Sequence, residues 1–223
     1  DGGQFGVTTS LRYGSAVVPW YAASTTAPDI DGVAHVFNAY GTWKPSSSFS
    51  VDAGRFTTIY GAEVHESFKN LNYTRGALFY AFQPFWHTGL RVNYQATDEL
   101  KLVGLAVNGV NNSLDAGKER PSLGAQAVYA SGPLGLSLGY LGTTDKDADF
   151  FQNFVDLVAT YTLGDVSLVA NGDYFTSKLG GASQSYFGGS LAAGYTVSQH
   201  FRVAVRGEGL FFDKDTTNSL KVY

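Results

Sequence analysis

The sequence contains no cysteine and no methionine, six prolines in 223 residues, and charged side chains at only 15% of positions. Without cysteine there is no disulfide framework, thiolate metal site or thiol redox centre. Soluble domains carry charge at roughly 25% of positions, so this chain is poor in it. Its net charge of -4 offers no basic stripe to phosphates, which excludes nucleic acid as a partner. Disorder requires high charge and few aromatics, and here aromatics reach 15%. Long apolar runs are missing too: Leu102 to Val107 is among the longest, far below the ~18 residues of a spanning helix. The start, Asp1-Gly2-Gly3, has neither the basic nor the apolar part of a signal peptide.

What is present is alternation. Leu90, Val92 and Tyr94 alternate with Arg91, Asn93 and Gln95. Val155, Leu157, Ala159 and Tyr161 alternate with Asp156, Thr160 and Thr162; Phe201, Val203 and Val205 alternate with Arg202, Arg206 and Glu208. The same pattern runs through Phe5 to Tyr13, Leu123 to Tyr129, Val166 to Tyr174 and Leu191 to Val197. Period two means strands with one apolar and one polar face. No capped helical run stands out, so the chain reads as all-β. The two faces cancel in the mean hydropathy of -0.07.

The connections alternate as well. Tight turns at Lys44 to Ser48, Thr97 to Glu99, Ser131 to Pro133, Gly164 to Asp165 and Ser198 to Gln199 take turns with longer polar stretches. Those are Gly14 to Gly32, Tyr60 to Trp86, Asn111 to Glu119, Thr143 to Asp149, Ser177 to Gln184 and Asp213 to Asn218. Short turns on one side and long loops on the other define an outer-membrane barrel. The reading is an antiparallel transmembrane β-barrel of about 12 strands in a single domain over residues 1–223: eleven strands of roughly 10 residues and a stub at Leu220 to Tyr223. The count rises if the chain is truncated at that end. Tyr13, Trp43, Tyr94, Tyr129, Tyr140, Tyr161, Tyr174, Tyr195 and Phe211 fall near strand ends on the apolar face, where rings suit a membrane–water boundary. Gly124, Gly135, Gly139, Gly188 and Gly194 fall on the polar face, leaving room inside. Arg55 breaks the pattern, sharing parity with Val51 and Ala53; a bulge or a place beyond the bilayer edge would account for it. A soluble sandwich or lipocalin-like barrel with an apolar ligand is the rival architecture, and it explains the one-sided loops less well.

The stretch from Asp52-Ala-Gly-Arg-Phe through Gly61-Ala-Glu-Val, Asn70-Leu-Asn-Tyr with Arg75, Pro84 and His87-Thr-Gly resembles the OmpL-like β-barrel porin family of Gram-negative outer membranes. Val107-Asn-Gly and Arg206-Gly-Glu fit the same likeness, which covers most of the chain and is densest between about residues 37 and 110. The resemblance implies a passive pore in the bacterial outer membrane.

Two sets of residues are candidates for its work. The connection from Tyr60 to Trp86 carries Glu63, His65, Glu66, Lys69 and Arg75, and folded into the lumen it would form a charged constriction. An outward loop packed on the rim, or an extra strand over Arg75 to Phe82, are the alternatives. Arg12, Arg91, Asn93, Gln95, Asp156, Asn171, Asp173, Arg202, Arg206 and Glu208 on the polar faces would line the lumen or brace it as ion pairs. Asp145, Asp147 and Asp149 alternate like calcium ligands but lack the rest of a calcium loop, so a solvated acidic loop is expected and no metal. The histidines, His35, His65, His87 and His200, are scattered, and no nucleophile elbow or zinc-hydrolase pair accompanies them. The expectation is therefore no enzyme and no cofactor. It is a channel for small hydrophilic solutes or ions in outer-membrane lipid, alone or in a homo-oligomer or envelope protein complex. A non-conducting barrel serving as structural anchor is the second reading.

Overall fold

The computed structural model describes residues 3–13, 35–111, 121–145, 150–179 and 182–213. Eleven strands follow in chain order: β1 (Gln4–Leu11), β2 (Val36–Lys44), β3 (Phe49–Thr57), β4 (Trp86–Gln95), β5 (Leu100–Val107), β6 (Ser122–Ser131), β7 (Leu134–Asp145), β8 (Phe150–Leu163), β9 (Val166–Leu179), β10 (Ala182–Ser198) and β11 (Phe201–Phe212). They form one sheet in sequential order, every neighbouring pair antiparallel. β1 and β11 are its edges among the described residues. The stub at Leu220 to Tyr223, the Gly14 to Gly32 connection, and Asp147 and Asp149 lie outside the described residues.

The two faces divide as the alternation requires. Val7, Leu138, Leu157, Leu191 and Val205 point away from the concave side and stay more than half exposed, while Asp156, Asn171 and Asp173 are buried on it. Apolar side chains left more than half exposed on an outward face need acyl chains as solvent, and between the two edge strands the backbone groups at that depth are paired strand to strand. Trp43, Tyr94, Tyr129, Tyr161 and Tyr195 each sit near the tight-turn end of a strand, on the exposed face. Near the other end a row of paired positions runs Tyr140, Val155, Tyr174, Phe187 and Phe211. Phe187 and Tyr195 lie eight residue steps apart on β10, about 27 Å along the strand at ~3.4 Å per residue. Tilted at about 40°, that length spans about 21 Å of the ~25 Å apolar band of such barrels.

Three local expectations are corrected. The strands vary from 8 to 17 residues rather than holding near ten. Of Ser177 to Gln184, residues 177–179 and 182–184 are therefore strand, and β7 runs into the other stretch from Thr143 to Asp145, since Leu179 pairs with Ala182 and Asp145 with Phe150. Polar strand continuing beyond the bilayer loses its apolar face, and in sequence it looks like loop. The segment Arg75 to Phe82 holds a five-residue helix, α1 (Ala77–Ala81), and no strand. Arg55 follows no bulge: β3 and β4 pair without interruption from Phe49 to Thr57. It stands two residues from the loop end of β3, its guanidinium 4.7 Å over the Trp86 ring. There the guanidinium is buried at 7% exposure, and the ring beneath it takes up the cation.

Leu191 lies mid-strand on the outward face at 69% exposure. A lipid-facing arginine near the bilayer midplane costs about 2–4 kcal/mol. Leu191→Arg should therefore slow or abolish assembly into phospholipid vesicles, read as loss of the heat-modifiable band on an unboiled gel.

Candidate constriction site

Between β3 and β4 the chain does not turn back but crosses the concave face of the sheet from Thr58 to Phe85. It carries a single 3-10 turn at Ser67–Lys69 and the helix α1. Its partners come from opposite ends of the strand order. Arg12, just past β1, reaches Glu66 at 3.1 Å; Arg206 on β11 reaches Glu63 at 2.6 Å; the Tyr60 hydroxyl donates to the Tyr140 carbonyl of β7 at 2.7 Å. A sheet whose first and last strands both touch one segment is curled around it.

The seat is apolar at one end. Phe56 and Tyr60 pack with Val103, Leu105 and Val107 of β5, Leu141 of β7 and Phe154 of β8, all nearly fully buried. Tyr60 stands edge-on to Phe154 and His87, with ring centroids 5.6 and 6.0 Å away. Burial pushes its phenol well above the usual range, and Asp156 adds to that. Room for the ring is made by glycine. A Cβ on Gly139 would lie 2.5 Å from the Tyr60 ring, and one on Gly124 2.4 Å from its hydroxyl. Further along, a Cβ on Gly188 would strike Leu78 of α1 at 2.6 Å.

A polar latch holds both ends of the segment. Asn171 on β9 accepts hydrogen bonds through Oδ1 from the Ala62 amide at 3.0 Å and from Gln83 Nε2 at 2.8 Å. Its Nδ2 donates to Asp156 Oδ1 and Asp173 Oδ1, each at 3.0 Å. One buried side chain thus ties two points of the crossing segment, 21 residues apart, to two carboxylates of the wall. Asn171 is engaged on both its oxygen and its nitrogen, and buried bonds of this kind are costly to break, about 1–3 kcal/mol for each group left without a partner.

The far end is held by ions. Glu63 takes Arg206 on Oε1 and the Gly76 amide on Oε2, while Glu208 takes Arg206 Nε at 3.2 Å and the Ala77 amide. Arg75 donates to the His65 carbonyl and Ser67 Oγ; Arg202 donates to the Asn70 carbonyl at 2.9 Å. His65 packs edge-on against Phe37, Phe79 and Phe85. Burial first, then the charges of Arg12 and Arg75, push its imidazole down to about 3.

The structure therefore gathers Glu63, His65, Glu66, Lys69, Arg75, Arg12, Arg202, Arg206 and Glu208 in one neighbourhood, and Asp156, Asn171 and Asp173 in another. Arg91 pairs with Asp52 at 2.8 Å on the inner wall of β3 and β4, where Asn93 also donates to Asp52. Gln95 stands apart, donating to the Thr97 and Asp98 carbonyls at the tight turn. Tyr60, Gln83 and Gln126, which donates to the Ile59 carbonyl at 2.6 Å, were not among the sequence candidates. One signal for them existed: β5 is apolar on both faces, which a water-filled lumen does not need but a docked segment does.

Two outcomes follow. Asn171→Ala should loosen the crossing segment in the folded barrel, so that trypsin cuts at Lys69 or Arg75 several-fold faster than in the parent. His65 is neutral when docked but titrates near 6.5 when released, so docking is fully favoured above pH ~6.5 and weakens as pH falls toward 3. Hydrogen exchange over 58–85, corrected for its intrinsic pH dependence, should accelerate across that window, and His65→Gln should flatten the response.

The comparisons agree with this architecture. The family model described as "Putative beta-barrel porin-2, OmpL-like" matches residues 1–222. No curated protein sequence matches the chain. Among solved structures, an anion-selective porin from Comamonas acidovorans superposes with a TM-score of 0.59 at 14% identity, over 81% of this chain and 60% of that one. OmpT, an outer-membrane protein of Vibrio cholerae, superposes with a TM-score of 0.52 at 13% identity, over 94% of this chain and 66% of that one. The chain thus spans less than two thirds of either, and at these identities the likeness is one of fold. An outward apolar face between aromatic ends, an inward polar face and a family match over nearly the whole length lead to one conclusion: the chain belongs to the OmpL-like β-barrel porin family of the bacterial outer membrane.

Proposed function

We propose that the protein is a passive channel for small hydrophilic solutes or ions, narrowed by the 58–85 segment. The observation that carries this reading is the placement of that segment, held to β1, β7, β9 and β11 on the concave face and presenting Lys69 at 57% side-chain exposure. A charged segment across a water-filled lumen sets the size limit and the field that a permeating solute meets. No step of this transport needs a cofactor, an energy source or a bond-making residue. The apolar seat under Tyr60 favours a second reading in one respect. It fills part of the interior with side chains, as an anchor barrel would, and conduction then depends on the remaining section between the segment and the wall.

Single-channel recording in planar bilayers tests the proposal. Stable conductance steps are expected, and removal of Glu63 to Arg75 should enlarge them. A folded, heat-modifiable barrel that stays silent would favour the anchor; an unchanged step size after the deletion would place the narrowest point elsewhere.

A further inference from the structure

We infer that the passage favours small anions over cations; this names the solute class for the channel proposed above and rests on that reading. The argument lies in how the charges of the constriction are turned. All four oxygens of Glu63 and Glu208 are engaged, by Arg206 and by the Gly76 and Ala77 amides, and both side chains are about 15–17% exposed. A carboxylate satisfied on every oxygen by charge and backbone N–H offers little to a passing cation.

The cations are disposed differently. Arg202 is exposed and donates to two backbone carbonyls, of Asn70 and Leu71, so among the described residues its charge meets dipoles and no carboxylate. Lys69 and Arg12 share the single carboxylate of Glu66, at 3.5 and 3.1 Å, and Lys69 is the more open of the two. Asp156 and Asp173 lie at 0% and 2% exposure beneath the docked segment, where solute water does not reach them. The charge presented to the aqueous path by these residues is therefore positive although the chain as a whole carries -4. One unbalanced charge about 7 Å from an ion in water changes that ion's local concentration roughly threefold, and the effect fades over a screening length of about 10 Å at 0.1 M salt.

The test is the zero-current potential of the reconstituted channel in a tenfold potassium chloride gradient. A sign corresponding to chloride being at least about twofold more permeant than potassium is expected. Lys69→Glu and Arg202→Gln should each move the ratio toward or past unity. Because Arg202 also holds the segment by two carbonyls, Lys69→Glu, whose side chain is largely in water, keeps the test independent of folding. A conducting channel that prefers potassium, or one whose ratio neither variant moves, overturns the anion preference and leaves the channel standing. A folded barrel with no conductance overturns the channel and the preference together.

Discussion

The rest of the structure depends on one contact: the docking of the 58–85 segment against the concave wall. A sheet that turns its oily side chains outward to acyl chains leaves polar side chains and wide space on the other side. Something must fill or organise that space. Here the chain uses its own connection between two neighbouring strands. The wall is shaped to receive it, with glycines under Tyr60 and Leu78, an apolar inner stripe on β5, and Asn171 presenting both donor and acceptor.

The charges obey the same constraint. A carboxylate held away from water needs donors: Asp52 has them from Arg91 and Asn93, Glu63 and Glu208 from Arg206 and backbone amides, and Asp156 and Asp173 on one oxygen each from Asn171. The ion pairs that tie the segment to β1 and β11 also brace the two edge strands against a common body. Structure and function are coupled at that point, because the groups that hold the segment in place are those a solute would pass.

Much of the fold is legible in the sequence because period two is a direct consequence of a bilayer on one side and water on the other. The outward rings, Trp43 through Tyr195, and the inward Asp156, Asn171 and Asp173 were assigned by parity alone, and parity holds along β8 and β9. What parity cannot report is partnership. Asn171 reads as one more lumen residue, and only the folded structure shows it bridging Ala62, Gln83 and two aspartates. Strand ends were misjudged at 177–184 for a physical reason, since strand that leaves the membrane no longer needs an apolar face. Gln95 followed parity too, but it sits at a tight turn where its amide finds carbonyls before it finds water. Val103, Leu105 and Val107 were visible as apolar residues on the face expected to be wet, the mark of the docked segment.

The native chain has no cysteine, which makes one measurement decisive. With Glu63→Cys and Arg206→Cys introduced together, the folded barrel in outer-membrane vesicles should be bridged by a short bifunctional thiol reagent, since the native side chains meet at 2.6 Å. Bridging within the assembled barrel is the result predicted. If both thiols instead react singly with a bulky, membrane-impermeant reagent and no bridge forms, the segment lies outside the barrel and the docking at the centre of this account is wrong.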